Sequence, residues 1–231
     1  MHAALVPVKS LHQAKSRLAT HLTQPQRAAL VLDMLHHVVC ILQASNALDR
    51  ISVVSSDRRI LEQAQAWGAY VRVEEETGHN PALTAAATRE LAEGTTALLT
   101  ISADLPLLQV NDIHGMIEQS KHSAVVLAPS QDHTGTNALL VRPPLALPYT
   151  FGPASLQRYL SESRVRQLSS GLYISIGLGF DIDTVDDLAT FRHHHLSLHP
   201  SCYPPPRPLF FTYRQKRHPS PFQIIFEVQE Q

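Results

Sequence analysis

The 231-residue chain is short of several things, and each shortage removes a class of function. It has only two cysteines, Cys40 and Cys202, far apart in the sequence. Such a pair gives neither a disulfide framework nor the ligand spacing of a zinc site. Cys40 falls in an apolar helical run and reads as a small core residue. There is no surplus of either charge. The formal net charge is -1, so there is no global basic field for nucleic acid or an anionic membrane, and any anion site must be local. No stretch is read as approaching the roughly 20 apolar residues of a membrane span. The N-terminus runs directly into an apolar strand without a signal-peptide layout, so a cytoplasmic location is expected. Two nucleotide-binding motifs are also missing. No glycine-rich loop ends in Lys-Ser/Thr, which disfavours a P-loop NTPase, and no Gly-x-Gly-x-x-Gly opens a helix, which disfavours a dinucleotide oxidoreductase.

What is present suits one sizeable α/β domain, with 44% apolar and 17% charged residues. The organising stretch is Ala97–Pro106. Residues 97–101 carry no charge and suit a strand covered on both faces. Two small residues, Asp104, Leu105 and Pro106 follow, and the proline stops further ladder pairing. Ligands in open parallel sheets bind beyond the carboxyl ends of the strands. An aspartate delivered there can hold a hard cation against a phosphate, or it can simply cap a turn.

Around this stretch the chain alternates. Residues 3–8 read as a first, central strand with Pro7 at its end. The loop 9–18 contains Lys9, Lys15 and Arg17 and no acid, which makes it a natural cradle for a polyphosphate. A long helix opens at Gln24-Pro25, and its stripe of Leu30, Met34, Leu35, Val38 and Leu42 faces a core. Strands are expected at 50–56 and 69–73, with a helix between them capped by Asp57 and closed by Gly68. Asn80 reads as the cap of the next helix, with Pro81 at its first position. The acidic run 74–76 before it reads as a solvated turn. Further on come a helix at 111–119 and a strand at 124–129. The polar loop 130–137 leads to a strand at 138–141, then a helix runs from about Ser155 to Val165. A strand is expected at 171–175, and a last helix is capped by Thr184. Seven of the sixteen prolines lie after His199, so residues 197–231 read as a tail. The domain is therefore assigned to residues 1–196. Phe222–Val228 could add an edge strand to it. His193, His194 and His195 are consecutive on a helix and point in different directions, so they do not share one metal ion.

Asp181 and Asp183 alternate, so in an extended strand both lie on one face with Ile182 on the other. Two carboxylates on one face repel unless a cation or a proton sits between them. Asp104 at a strand end completes a candidate Mg²⁺ site opposite the basic loop.

These segments together resemble the 2-phospho-L-lactate guanylyltransferases of coenzyme F-420 biosynthesis. The opening signature is Val6-Pro7-Val8-Lys9-Ser10-Leu11, continued by Ala14-Lys15-Ser16-Arg17-Leu18. Gly78-His79-Asn80, Ser102-Ala103-Asp104-Leu105-Pro106, Gly135-Thr136-Asn137, Phe151-Gly152-Pro153-Ala154-Ser155 and Asp181-Ile182-Asp183-Thr184 follow in order. The resemblance covers residues 3 to about 195. It implies a single-domain nucleotidyltransferase of the glycosyltransferase-A type, with a mixed Rossmann-like sheet. Such an enzyme joins GTP to a small phosphorylated three-carbon acid and releases pyrophosphate. The acid would be 2-phospho-L-lactate, phosphoenolpyruvate or 3-phospho-D-glycerate.

By residue match, Lys9, Lys15 and Arg17 would hold the triphosphate, and Asn80 would help read the nucleoside. Asp104, Asp181 and Asp183 would bind Mg²⁺, with Asp104, Lys15 and Arg17 as the catalytic groups. Thr136, Gly152 and Ser155 would receive the acid, a role also suited to a helix N-terminus. The analogy adds a homodimer. The tail lies outside the resemblance, and Tyr159 stands where a histidine is expected, which bears on the acid contacts. The alternatives are a nucleotidyltransferase using another base or acceptor, such as a sugar phosphate or molybdopterin, and a non-catalytic nucleotide-binding protein.

Overall fold

The computed structural model describes residues 1–74 and 76–195, with side chains as far as Phe191. The expected tail, its edge strand and the side chains of His193–His195 lie outside the described residues.

The elements alternate as the sequence suggests through the first half: β1 (His2–Pro7), α1 (Gln24–Ala44), β2 (Arg50–Ser55), α2 (Arg58–Ala66), β3 (Tyr70–Val73), α3 (His79–Ala92), β4 (Ala97–Ile101) and α4 (Val110–Gln119). The second half is more mixed, with β5 (Val125–Pro129), β6 (Thr136–Val141), α5 (Ser155–Val165), β7 (Ser170–Leu172), α6 (Ile176–Gly179) and α7 (Val185–His195). The seven strands form one sheet in the order β3-β2-β1-β4-β6-β5-β7. Only β6 runs against its neighbours β4 and β5; the other pairings are parallel.

The uncharged strands are uncharged because helices cover them. All five residues of β4 are buried, as are those of β5. The stripe on α1 is buried as expected, and Leu35, Val38 and Leu42 join the main core with Val6, Val53 and Leu99. Helix α1 corrects one expectation. Its 21 residues are long and apolar enough to cross a membrane by length and composition. Here its apolar side packs into the core between the sheet and α4.

Several boundaries were written locally. Thr23 and Gln26 form a reciprocal cap at the start of α1. Asp57 accepts from the Arg59 N–H, and Gly68 ends α2 with a left-handed φ of +84°. Thr184 and Asp187 cap α7 reciprocally, at 2.7 Å from the Thr184 N–H to the Asp187 carboxylate.

Three expectations fail, each for a non-local reason. Asn80 does not cap α3, which starts two residues earlier than expected, at His79 after Gly78. Thr136 and Asn137 belong to β6, because their polar side chains are buried and find partners in distant segments. Residues 181–183 form no strand. They leave the sheet and touch the 102–105 turn through the Ile182 N–H on the Asp104 carbonyl, at 3.3 Å. The expected alternation survives: Ile182 is buried beside Leu18, Leu22 and Phe180, while both aspartates stay partly exposed.

Candidate active site

The basic loop after β1 is held by its apolar residues. Leu11, Ala14 and Leu18 are buried, and the Leu11 N–H donates to the Asp57 carboxylate at 3.0 Å. Asp57 therefore serves both α2 and the loop. Lys15 then adopts a left-handed conformation, φ 53° and ψ 41°, unusual for a residue with a side chain. This turns its stem inward, leaving the side chain only 8% exposed.

The Lys15 ammonium sits between two of the three acids. It donates to Asp104 at 2.5 Å and to Asp183 at 2.9 Å. Arg17, largely exposed, approaches the other Asp183 oxygen at 3.6 Å. Burial opposes charge on Lys15, but the two aspartates outweigh it and raise its pKa. On Asp183 burial is likewise outweighed, by Lys15, Arg17 and Lys9, and its pKa falls. Asp181 goes the other way. Burial, then the charge of Asp104, push it up to about 6, against the pull of the Asn137 amide.

One oxygen from each of Asp104, Asp181 and Asp183 lies within 4.8 Å of the others. Three carboxylates therefore gather around one buried ammonium that hydrogen-bonds only two of them, which leaves a surplus of negative charge. Three hard oxygen donors that lack charge balance suit a divalent cation. The cluster can hold one.

Asn137 has no place in the sequence-level list of site residues, yet it orients Asp181. It is the extra residue of a β-bulge, since Ala128 pairs with Ala138 and Pro129 with Thr136. Its amide donates to Asp181 at 3.1 Å and to the Leu178 and Gly179 carbonyls at 3.0 and 3.2 Å. Asp187 was also missed: its carboxylate accepts from the Asp183 N–H at 2.9 Å, fixing the backbone that presents Asp183. The Gly-Thr-Asn triplet was the only local signal for Asn137.

The residues expected to receive the acid form a second group. The Ser155 hydroxyl donates to the Thr136 hydroxyl at 3.1 Å, and both are buried. Gly152 has φ +116°, which favours glycine, in the turn that starts α5. Tyr159 is fully buried, and its hydroxyl accepts from the Thr150 N–H at 3.0 Å. It shapes this turn from below. Asn80 belongs with this group as well. Its carboxamide takes both main-chain groups of Phe151, accepting from the N–H at 2.9 Å and donating to the carbonyl at 3.1 Å. The start of α3 is thereby latched to the turn at 151–155. The His79 ring meets Phe151 edge-on at 5.8 Å. It is open to solvent yet hemmed in by protein, and those surroundings, with Lys9, keep its pKa below the ordinary range.

The structure thus joins Lys15, Arg17, Asp104, Asp181 and Asp183 directly, with Lys9 close enough to act on Asp183 through its charge. Thr136 and Ser155 join each other, and Gly152 follows the residue that Asn80 holds.

Residues 2–203 match the family described as "Guanylyl transferase CofC like". The chain is 41% identical over 187 residues to the phosphoenolpyruvate guanylyltransferase of Rubrobacter xylanophilus, covering 80% of this chain and 91% of that enzyme. It is 33% identical over 215 residues to the 2-phospho-L-lactate guanylyltransferase of Methanothermobacter thermautotrophicus, covering 93% of each. Among solved structures, a nucleotidyl transferase from a Methanothermobacter superposes with a TM-score of 0.61 at 16% identity, over 85% of this chain and 98% of that one. A 4-diphosphocytidyl-2C-methyl-D-erythritol synthase from Anaerococcus prevotii gives 0.57 at 12%, over 86% and 99%. These two likenesses show the fold, a single α/β nucleotidyltransferase domain.

Proposed function

The chain belongs to the CofC-like guanylyl transferase family, and from that premise we propose that it joins the guanylyl group of GTP to a small phosphorylated three-carbon acid. Pyrophosphate is the other product, and coenzyme F-420 biosynthesis is the setting. Phosphoenolpyruvate is the first acceptor to test, because relatives of that name include the 41% and 37% identical enzymes. 2-Phospho-L-lactate and 3-phospho-D-glycerate follow. The observation that carries the reading is the convergence of Lys15 on Asp104 and Asp183, with Asp181 beside them.

In this reading Lys9 and Arg17, both exposed, bind the triphosphate. An ammonium has three N–H groups, and Asp104 and Asp183 take two of those on Lys15. The third donates to a phosphate oxygen, so Lys15 ties nucleotide to acid cluster. Asp104, Asp181 and Asp183 would hold Mg²⁺, which supplies positive charge against the α-phosphate and the departing pyrophosphate. Asn80 helps read the nucleoside with the carboxamide N–H that Phe151 leaves free. Thr136, Gly152 and Ser155 receive the acid, aided by N–H groups at the start of α5. The acceptor's phosphate oxygen is already anionic, so no general base is required. The protein's contribution is to bring two anions together in line and to offset their charge.

The test is pyrophosphate release with Mg²⁺, comparing GTP, ATP, CTP and UTP against each of the three acids. Release that depends on GTP and on one acid is expected. Release with another nucleotide in place of GTP, or with none, would sink the reading.

A further inference from the structure

On the side of α3 that faces Tyr149 there is an open cavity of about 460 Å³, lined by Glu76, Asn80, Pro81, Thr84, Ala85 and Tyr149. Its size falls within the range of small-ligand sites, which run from about 300 to 1,000 Å³. Resting on the guanylyl-transfer reading, we propose that this cavity receives the guanine base and that Glu76 is the residue that selects it.

The argument begins with which polar groups are free. The Tyr149 hydroxyl is engaged with the Thr100 hydroxyl at 2.7 Å, and the Thr84 hydroxyl donates to the Asn80 carbonyl at 2.9 Å. Pro81, Ala85 and the body of Tyr149 offer apolar surface for the faces of a flat ring. Asn80 spends one N–H and one acceptor lone pair on Phe151. A carboxamide has two of each, so one N–H and one lone pair are left. The Glu76 carboxylate makes no hydrogen bond or ion pair with the described residues. The cavity wall thus offers a free carboxylate from Glu76 and one free N–H from Asn80.

That set matches one base. The pairing edge of guanine presents O6 as acceptor, then N1–H and the N2 amino group as donors. A carboxylate accepts from N1–H and N2–H with its two oxygens, and the spare Asn80 N–H donates to O6. Adenine presents an unprotonated N1 lone pair where guanine has N1–H, so it would set that lone pair against the carboxylate. Cytosine and uracil are single rings with a shorter reach. The position also fits. His79, directly before Asn80, is acted on by the charge of Lys9 in the triphosphate loop. In this proposal Glu76, expected from the sequence to be merely solvated, becomes a base-reading group.

The test is equilibrium titration of GTP, ITP and ATP into the full chain with Mg²⁺, for the native protein and for Glu76→Gln. Inosine differs from guanosine only by lacking the N2 amino group. The native protein is expected to bind GTP about tenfold more tightly than ITP, the worth of one hydrogen bond to a charged acceptor. In Glu76→Gln the GTP-to-ITP ratio should fall to within about twofold. An unchanged ratio in the variant, or no preference of the native protein for GTP over ATP, overturns the assignment. Glu76 is exposed, so its loss leaves the fold intact. Pyrophosphate release by the native protein separates the two readings. Turnover of GTP with an unchanged binding ratio removes Glu76 and leaves guanylyl transfer standing, whereas absent turnover tells against guanylyl transfer whatever the ratio.

Discussion

Two charged clusters in this molecule look alike in a list of ion pairs and differ in kind. One is centred on Glu90 of α3, which is completely buried. It accepts from Arg50 at 3.3 Å, Arg72 at 2.8 Å, Ser52 at 2.7 Å and Thr95 at 3.3 Å, while Glu93 completes the pairing with both arginines. Two acids meet two arginines, and every oxygen of Glu90 has a donor. The other cluster sets Asp104, Asp181 and Asp183 against Lys15, with Arg17 at longer range. The first is balanced and closed, and it fixes α3 to β2 and β3. The second is left short of positive charge and open to solvent. A buried network that satisfies itself holds a fold together. One that cannot do so alone is built to receive something.

The sharpest way to break this contrast is to remove each centre and ask what is lost. Glu90→Ala leaves Arg50, Arg72, Ser52 and Thr95 without a shared acceptor and is expected to cost about 3–5 kcal/mol of stability, read from a urea midpoint. A cost below about 1 kcal/mol, the worth of a surface pair, would erase the distinction. Asp104→Asn is the counterpart. Turnover is expected to fall by about 10²–10³ while the urea midpoint stays near that of the native protein. Unaltered turnover would remove Asp104 from the site.

Smaller effects test the edges of the comparison. Asn80→Ala loses two hydrogen bonds to Phe151, at about 1 kcal/mol each. Thermal melting measures that loss, and the KM for the acid should rise because the 151–155 turn is no longer latched. An unmoved KM would mean that the turn is set by Tyr159 and Gly152 alone. The smallest effect concerns Asp181, whose folded pKa is about 6 against an ordinary 3.8. Between those values the folded chain keeps a proton that the unfolded chain has released, so stability is lost as pH rises through that window. At neutral pH with a chelator present, Asp181→Asn should therefore melt at or above the native temperature. Added Mg²⁺ should raise the melting temperature of the native protein and not that of the variant. A variant that melts lower under chelation would place Asp181 with the structural charges.

Much of the fold was legible because its signals are local. Pro25, Asp57, Gly68 and Thr184 each mark a helix end within a few residues, and the α1 stripe recurs with the helical period. Of the site, the three aspartates and the basic loop were legible by residue type and by family resemblance. The rest was not, because it depends on distant partners. Asn80 looks like a helix cap until Phe151, 71 positions away, is brought to it. Asn137 looks like loop because its neighbours are small and polar, and only a β-bulge re-aims it at Asp181. Tyr159 stands out as a departure from a pattern, but the Thr150 N–H shows that it buttresses the turn.

The contacts of Lys15 also have a consequence in time. It meets Asp104 across 89 positions and Asp183 across 168. Closing such long loops is entropically costly, and they close only once the intervening chain is ordered. A nascent chain emerging from the ribosome presents β1, the basic loop and β2–β4 long before residue 183 has been synthesised. Through that interval the basic loop exists with Asp104 alone, without Asp181 and Asp183. In the proposed reading, the site can therefore be completed only after nearly four-fifths of the 231 residues have been made.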